Sequence, residues 1–159
     1  MEHNCQCDSC KNACSFKPGW FMPGQAEKVA AHLNISLKEL FDTKLMVDWH
    51  QDYDNDRDVF LLSPAVVDGS PGSEFPGDPK GKCVFLTAEG KCGIYEVRPF
   101  ECAEYIHETP RSEIDERHEA ISKAWSDYQD QITELLGREP VSETYQGGLF
   151  GGLFSSFNF

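Results

Sequence analysis

The stretch Cys5-Gln6-Cys7-Asp8-Ser9-Cys10-Lys11-Asn12-Ala13-Cys14 sets four thiols within ten residues, and three more follow at Cys83, Cys92 and Cys102. Thiolates suit soft or borderline metals, and close spacing lets one tight loop aim two or three sulfurs at a single point. Cys7-x2-Cys10 has the spacing of a metal knuckle, Cys14 lies one helical turn further on, and Cys5 is an optional fourth. The seven cysteines are therefore read as metal ligands, for zinc or for iron, and the rest of the chain as the body that brings them together.

Composition narrows the class. With 14 Lys and Arg against 27 Asp and Glu, the 159-residue chain carries a net charge of −13. Such a chain is repelled by phosphate backbones and anionic lipid, which argues against nucleic-acid and membrane-surface partners. The start, Met1-Glu2-His3-Asn4, has neither the charge nor the apolar run of a secretory signal. No segment approaches the ~18 apolar residues of a spanning helix. The expected compartment is the cytoplasm, where clustered cysteines serve metals or redox chemistry more often than disulfides. Seven is also an odd number, so internal pairing cannot be complete.

Outward from the cluster, Pro18-Gly19 and Pro23-Gly24 mark turns around Trp20, Phe21 and Met22. These apolar side chains either shield the cysteines or plug the core. Gln25 to Leu33 reads as a helix with Val29, Ala30 and Leu33 on one face. Ser36-Leu37-Lys38-Glu39 is a capping box that opens a second helix, with Leu37, Leu40, Phe41 and Leu45 as its buried stripe. The two form a helical hairpin.

Trp49 to Asp58 is an acidic loop in which Asp52, Asp54, Asp56 and Asp58 alternate. It lacks the glycine at position six and the closing glutamate of a calcium-binding EF-hand. Val59-Phe60-Leu61-Leu62 is a strand, and residues 68–82 form a long Gly/Pro-rich loop. Its Gly77-Asp78-Pro79-Lys80-Gly81-Lys82 run has the wrong spacing for a phosphate loop, and Cys83 stands where Ser or Thr would bind magnesium.

Residues 83–95 read as a β-hairpin turning at Glu89-Gly90. On a flat ladder with a two-residue turn, Cys83 and Cys92 would lie ~13 Å apart along the strands; a three-residue turn would set them on opposite faces. Either Cys83 sits in a bent loop ahead of the strand, or the cysteines serve different sites. Arg98, one of few nearby cations, either neutralises thiolate charge or pairs with Glu96 or Glu101. His3, His50 and His107 are further donors, His107 first among them because it follows Cys102 by five residues.

Thr109-Pro110 opens the longest helix, ended by Gly137, with Ile114, His118, Ile121, Trp125, Tyr128, Ile132 and Leu135 at alternating four- and three-residue steps. The stripe is expected to pack on its own domain before it pairs with anything else. The tail repeats Gly-Gly-Leu-Phe at 147–150 and 151–154. The expected architecture is a small α+β, cysteine-rich, metal-stabilised domain over residues 1–137, with a helical hairpin, a short β-hairpin and a long C-terminal helix. Residues 138–159 form a flexible Gly/Phe-rich tail.

The ordered series Cys-x2-Cys-x3-Cys, then Gly81-Lys82-Cys83-Val84-Phe85-Leu86, Gly90-Lys91-Cys92-Gly93-Ile94-Tyr95 and Arg98-Pro99-Phe100-Glu101-Cys102, resembles the cysteine-cluster proteins of the YkgJ type over roughly residues 5 to 107. The resemblance implies chelation of zinc or of iron, including an iron–sulfur cluster, with Cys7, Cys10, Cys14, Cys83, Cys92 and Cys102 matching the family's cysteines. Many members carry an adjacent Cys-Cys pair where this chain has Ala13-Cys14, and Cys5 is additional.

The function expected is thus metal binding by thiolates of the N-terminal cluster and the 83–102 segment, with zinc or an iron–sulfur cluster as cofactor. An iron–sulfur redox or modifying enzyme is the first alternative, although no radical-type Cys-x3-Cys-x2-Cys triad occurs. A zinc hydrolase using Glu96, Glu101, Glu104 or His107 as base is weaker, since an all-sulfur site is a poor Lewis acid. A metal-stabilised adaptor would reach a protein partner through the 147–159 tail or the 110–136 helix.

Overall fold

The computed structural model describes residues 8–76, 80–104 and 108–142, the first four by backbone alone. Helix α1 (Asp8–Phe16) carries the end of the cysteine cluster, and α2 (Gln25–Leu33) and α3 (Leu37–Lys44) form the expected helical hairpin. At the C-terminus of α2, Asn34 turns left-handed at φ 58° and returns its N–H to Ala30 and Ala31 carbonyls. The Ser36 hydroxyl then accepts from the Glu39 N–H at 3.1 Å, the capping contact the sequence announces. Leu45 does not extend the α3 stripe. It turns extended and begins a strand, so its side chain enters the core from the sheet.

The sheet has two antiparallel strands, β1 (Leu45–Asp52) and β2 (Arg57–Pro64), in register from Leu45 opposite Pro64 to Asp52 opposite Arg57. More than half of the expected acidic loop is therefore strand, because Trp49 to Asp52 pair with Phe60 to Arg57. Only residues 53–56 form the turn. Its first carboxylate, Asp52, accepts from the Asp54 and Asn55 N–H groups and the Asn55 amide, and Asp56 adopts φ 48°. Asp52 and Asp56 serve the turn, whereas Asp58 already belongs to β2.

Beyond β2 the chain runs irregularly along the other side of β1. Gly72, Val47 and Phe75 donate to Leu45, Ser73 and Val47 carbonyls, which covers an otherwise open strand edge. The expected hairpin at 83–95 is reduced to a single antiparallel bridge. Leu86 pairs with Cys92, flanked by Thr87 N–H on the Lys91 carbonyl and Gly93 N–H on the Phe85 carbonyl; Gly90 N–H closes the turn on Thr87, and Leu86 N–H on the Cys83 carbonyl bends the chain ahead of it.

The C-terminal helical stretch follows a 3-10 turn (Tyr95–Val97) and the short α4 (Phe100–Glu104). It comprises α5 (Arg111–Trp125), a 3-10 turn (Ser126–Tyr128) and α6 (Gln129–Leu136). The 3-10 turn shifts the phase of the predicted stripe. Ile121, Trp125, Ile132 and Leu135 are buried, but Tyr128 is 48 % exposed. Its neighbour Gln129 faces in, its amide exchanging hydrogen bonds with the backbone N–H and carbonyl of Phe60 as an extra strand would. Helices α5 and α6 pack on β2, and the Trp125 indole donates to the Phe21 carbonyl at 2.6 Å. Trp20 and Phe21 are core residues, joined to Leu40, Leu45, Leu62, Ile94 and Trp125. The α+β class stands, with helices around one two-stranded sheet.

Candidate metal centre

Three separate segments converge where α1 ends. The Cys83 N–H donates to the Cys14 carbonyl at 2.8 Å, and Gly81 N–H to the Phe16 carbonyl at 2.7 Å, so the 81–83 loop is laced to the C-terminal turn of α1. Phe85, held by Gly93, brings the Cys92 turn alongside. Helix α4 delivers Cys102, its register set by Glu101 N–H on the Trp20 carbonyl at 3.2 Å. Cys14, Cys83, Cys92 and Cys102 together line one cavity of about 610 Å³, whose walls also include Phe85, Ile94, Pro99, Lys17, Arg98 and Glu101. The bend at Cys83 answers the flat-ladder objection: Cys83 lies in a loop before the turn, and both it and Cys92 reach the same cavity.

Backbone amides are aimed at three of the four sulfurs. The N–H groups of Phe85 and Leu86 favour ionisation of Cys83, that of Ile94 ionisation of Cys92, and that of Gly19 ionisation of Cys102. A thiol sulfur is a weak acceptor, whereas a thiolate or metal-bound sulfur is a good one, so the cradle suits the ionised state. As free thiols the group resists that state. Burial pushes Cys83 up to about 12 and raises Cys14, Cys92 and, furthest, Cys102. Neighbouring thiolates raise Cys14, Cys83 and Cys102 further, while the Arg98 charge favours ionisation of Cys92. A bound cation reverses such a balance, because it stabilises every thiolate at once. The donor set thus fits a thiophilic metal.

Among the described residues, no three His, Cys, Asp or Glu groups stand close enough together to hold an ion. Cys5 and Cys7 lie outside the described residues, Cys10 is placed only as a backbone position in α1, and His3 and His107 are likewise outside. His50 is not among the residues that line the cavity; it sits on β1, its ring 6.0 Å from Trp20 and 6.5 Å from His118. Arg98 stacks 4.0 Å over the Tyr95 ring and donates to the Tyr95 carbonyl, close enough to act on Cys92 by charge.

Gly19 is the residue the sequence concealed. Pro18-Gly19 reads as turn punctuation, yet a Cβ there would lie 2.6 Å from Cys102 Sγ and 3.0 Å from its N. Only a glycine lets the backbone approach the thiol this closely.

No helix among the described residues is long and apolar enough to cross a membrane. No curated protein and no solved structure matches the chain. A family model does, over residues 6–125, which takes in all the matched cysteines from Cys7 to Cys102: CxxCxxCC, described as "Putative zinc- or iron-chelating domain". The chain belongs to this CxxCxxCC family.

Proposed function

We propose that the chain holds zinc or an iron–sulfur centre through thiolates of Cys5, Cys7, Cys10 and Cys14 together with Cys83, Cys92 and Cys102. The observation that carries this reading is the meeting of Cys14, Cys83, Cys92 and Cys102, from three segments, at one cavity with amides directed at three of the sulfurs. The missing donors would come from the N-terminal cysteines, Cys10 on α1 and Cys5 and Cys7 ahead of it. Bound metal would supply charge compensation and a covalent tie between the N-terminus and the body; Arg98 would offset the net charge of the thiolates. The reading puts the protein in the cytoplasm, with residues 1–137 as metal-binding domain and 138–159 as a tail whose first five residues are held to that domain.

A second reading, an iron–sulfur-dependent redox or modifying enzyme, is favoured by one observation. The cavity, at about 610 Å³, is roomier than a single ion and its ligands need. The adaptor reading rests on the 147–159 tail, which lies outside the described residues, since the α5–α6 stripe packs on the sheet.

Metal analysis and an absorption spectrum of anaerobically purified protein test the proposal. Stoichiometric zinc in colourless protein, or iron and sulfide in coloured protein, supports it, and chelation should then lower thermal stability. Folded protein with neither metal at stoichiometric level removes it.

A further inference from the structure

We propose that Glu101 and His118 form a positioning clasp for the thiol of Cys102, tying helix α5 to the cysteine cavity. The consequence for metal binding rests on the reading above; the clasp itself rests on geometry. Helix α4 is only five residues long and cannot hold its own place. Its setting comes from outside contacts, and Glu101 makes three of them. One carboxylate oxygen accepts from the Trp20 N–H at 2.7 Å, and the other meets His118 Nε2 at 2.6 Å. The Glu101 N–H returns to the Trp20 carbonyl, so residues 20 and 101 are joined by backbone and side chain alike.

The partners are themselves fixed. The Trp20 indole lies 4.5 Å from the His118 ring and donates to Asp48, and Phe100 N–H is held by Gln25 at 2.8 Å. Glu101 and His118 side chains are 16 % and 17 % exposed, so the pair is shielded from competing water. One residue along, Gly19 presses on Cys102 with no space for a Cβ. Any slip of residue 101 against residue 20 therefore moves the sulfur.

Electrostatics argues for a geometric role. A carboxylate beside thiols opposes their ionisation, and Glu101 does raise Cys102. A group retained for charge would be a cation. What Glu101 contributes is two acceptor oxygens, both used, and a link from the cavity wall to α5.

The test uses the full chain with Glu101→Ala, Glu101→Gln, His118→Ala and His118→Gln, two readouts and circular dichroism as a folding check. In metal-free protein, iodoacetamide labelling mapped by mass spectrometry should speed up about tenfold or more at Cys102 in the alanine variants, with Cys83 and Cys92 little changed. In a cobalt(II) titration, affinity should fall about tenfold and sulfur-to-metal absorption should weaken. His118→Gln, which retains an N–H donor, should recover most of the wild-type behaviour, and Glu101→Gln, which loses one acceptor, only part of it. Unchanged Cys102 labelling in the folded Glu101→Ala and His118→Ala variants overturns the clasp. Wild-type protein that binds no cobalt defeats the metal reading alone, and labelling still decides the clasp. If the alanine variants do not fold, the glutamine variants carry the decision: labelling at Cys102 unchanged in Glu101→Gln counts against it.

Discussion

The indole Nε1–H of Trp20 donates to Oδ2 of Asp48 at 2.7 Å, and the aspartate is 3 % exposed. Trp49 N–H occupies the other oxygen at 2.8 Å. The same Trp20 gives its backbone N–H to Glu101, so one residue links the sheet to the wall of the cysteine cavity.

Burial pushes the Asp48 carboxyl up to about 6 from an ordinary 3.8, despite the Trp20 and Trp49 donors and the nearby Lys17 charge. Between those two pH values the folded chain binds more protons than the unfolded one. The Asp48 contribution to stability is therefore full below about 4 and declines as pH rises to about 6. Asp48→Asn removes this dependence. In urea unfolding, the variant should gain on the wild type by up to about 3 kcal/mol between pH 4 and 7. A difference that stays flat across that range would show the carboxyl to be unshifted.

Local signals were legible where local physics decides the outcome. The Ser36 cap, the Leu37–Lys44 helix and the β2 strand follow from spacing and capping chemistry. Their tertiary neighbours did not show. Trp49 and His50 belong to a strand because Val59 and Phe60 lie opposite, a partner that periodicity cannot name. The 83–95 segment alternates like a hairpin, yet it serves the cavity and bends at Cys83. At the site, cysteine spacing pointed to Cys14, Cys83, Cys92 and Cys102 because thiols are chemically conspicuous. Gly19 and the Glu101–His118 pair were hidden, since their roles arise from contacts across 83 and 17 residues of sequence respectively.

The chain beyond α6 is strapped to the body by Glu74. Arg138 reaches the Glu74 carboxylate with both terminal nitrogens, and the Val141 N–H adds a third donor at 2.9 Å. Ser142, fully buried, donates its hydroxyl to Asp58. Burial alone would push Glu74 up, but the Arg138, Val141 and own-backbone donors outweigh it and hold the carboxyl below its ordinary 4.5. The strap is therefore at full strength above that pH and is lost as pH falls below it. Glu74→Ala should cost about 1–2 kcal/mol at pH 7, discounted because Arg138 is half exposed, and much less near pH 3. Equal losses at both pH values would point to packing and not to the ion pair.

Gly19→Ala should separate site geometry from general stability. Its Cβ would meet Cys102 Sγ at 2.6 Å, the Cys102 N at 3.0 Å and Glu101 Cβ at 3.2 Å. The sulfur alone can rotate aside, but the backbone nitrogen moves only if α4 moves, and Glu101 holds α4. Overpacking of this kind costs about 1–3 kcal/mol, and a displaced ligand costs about tenfold in metal affinity. Gly137→Ala is the counterpart. That residue caps α6 at φ 76° with nothing within 4 Å of a new Cβ, so the substitution should cost about 1 kcal/mol through backbone strain. It should leave metal affinity alone. Chelator competition and thermal unfolding on both variants decide the matter: equal affinity losses, or none at Gly19, would mean that the close approach of Gly19 to Cys102 does not set the thiol.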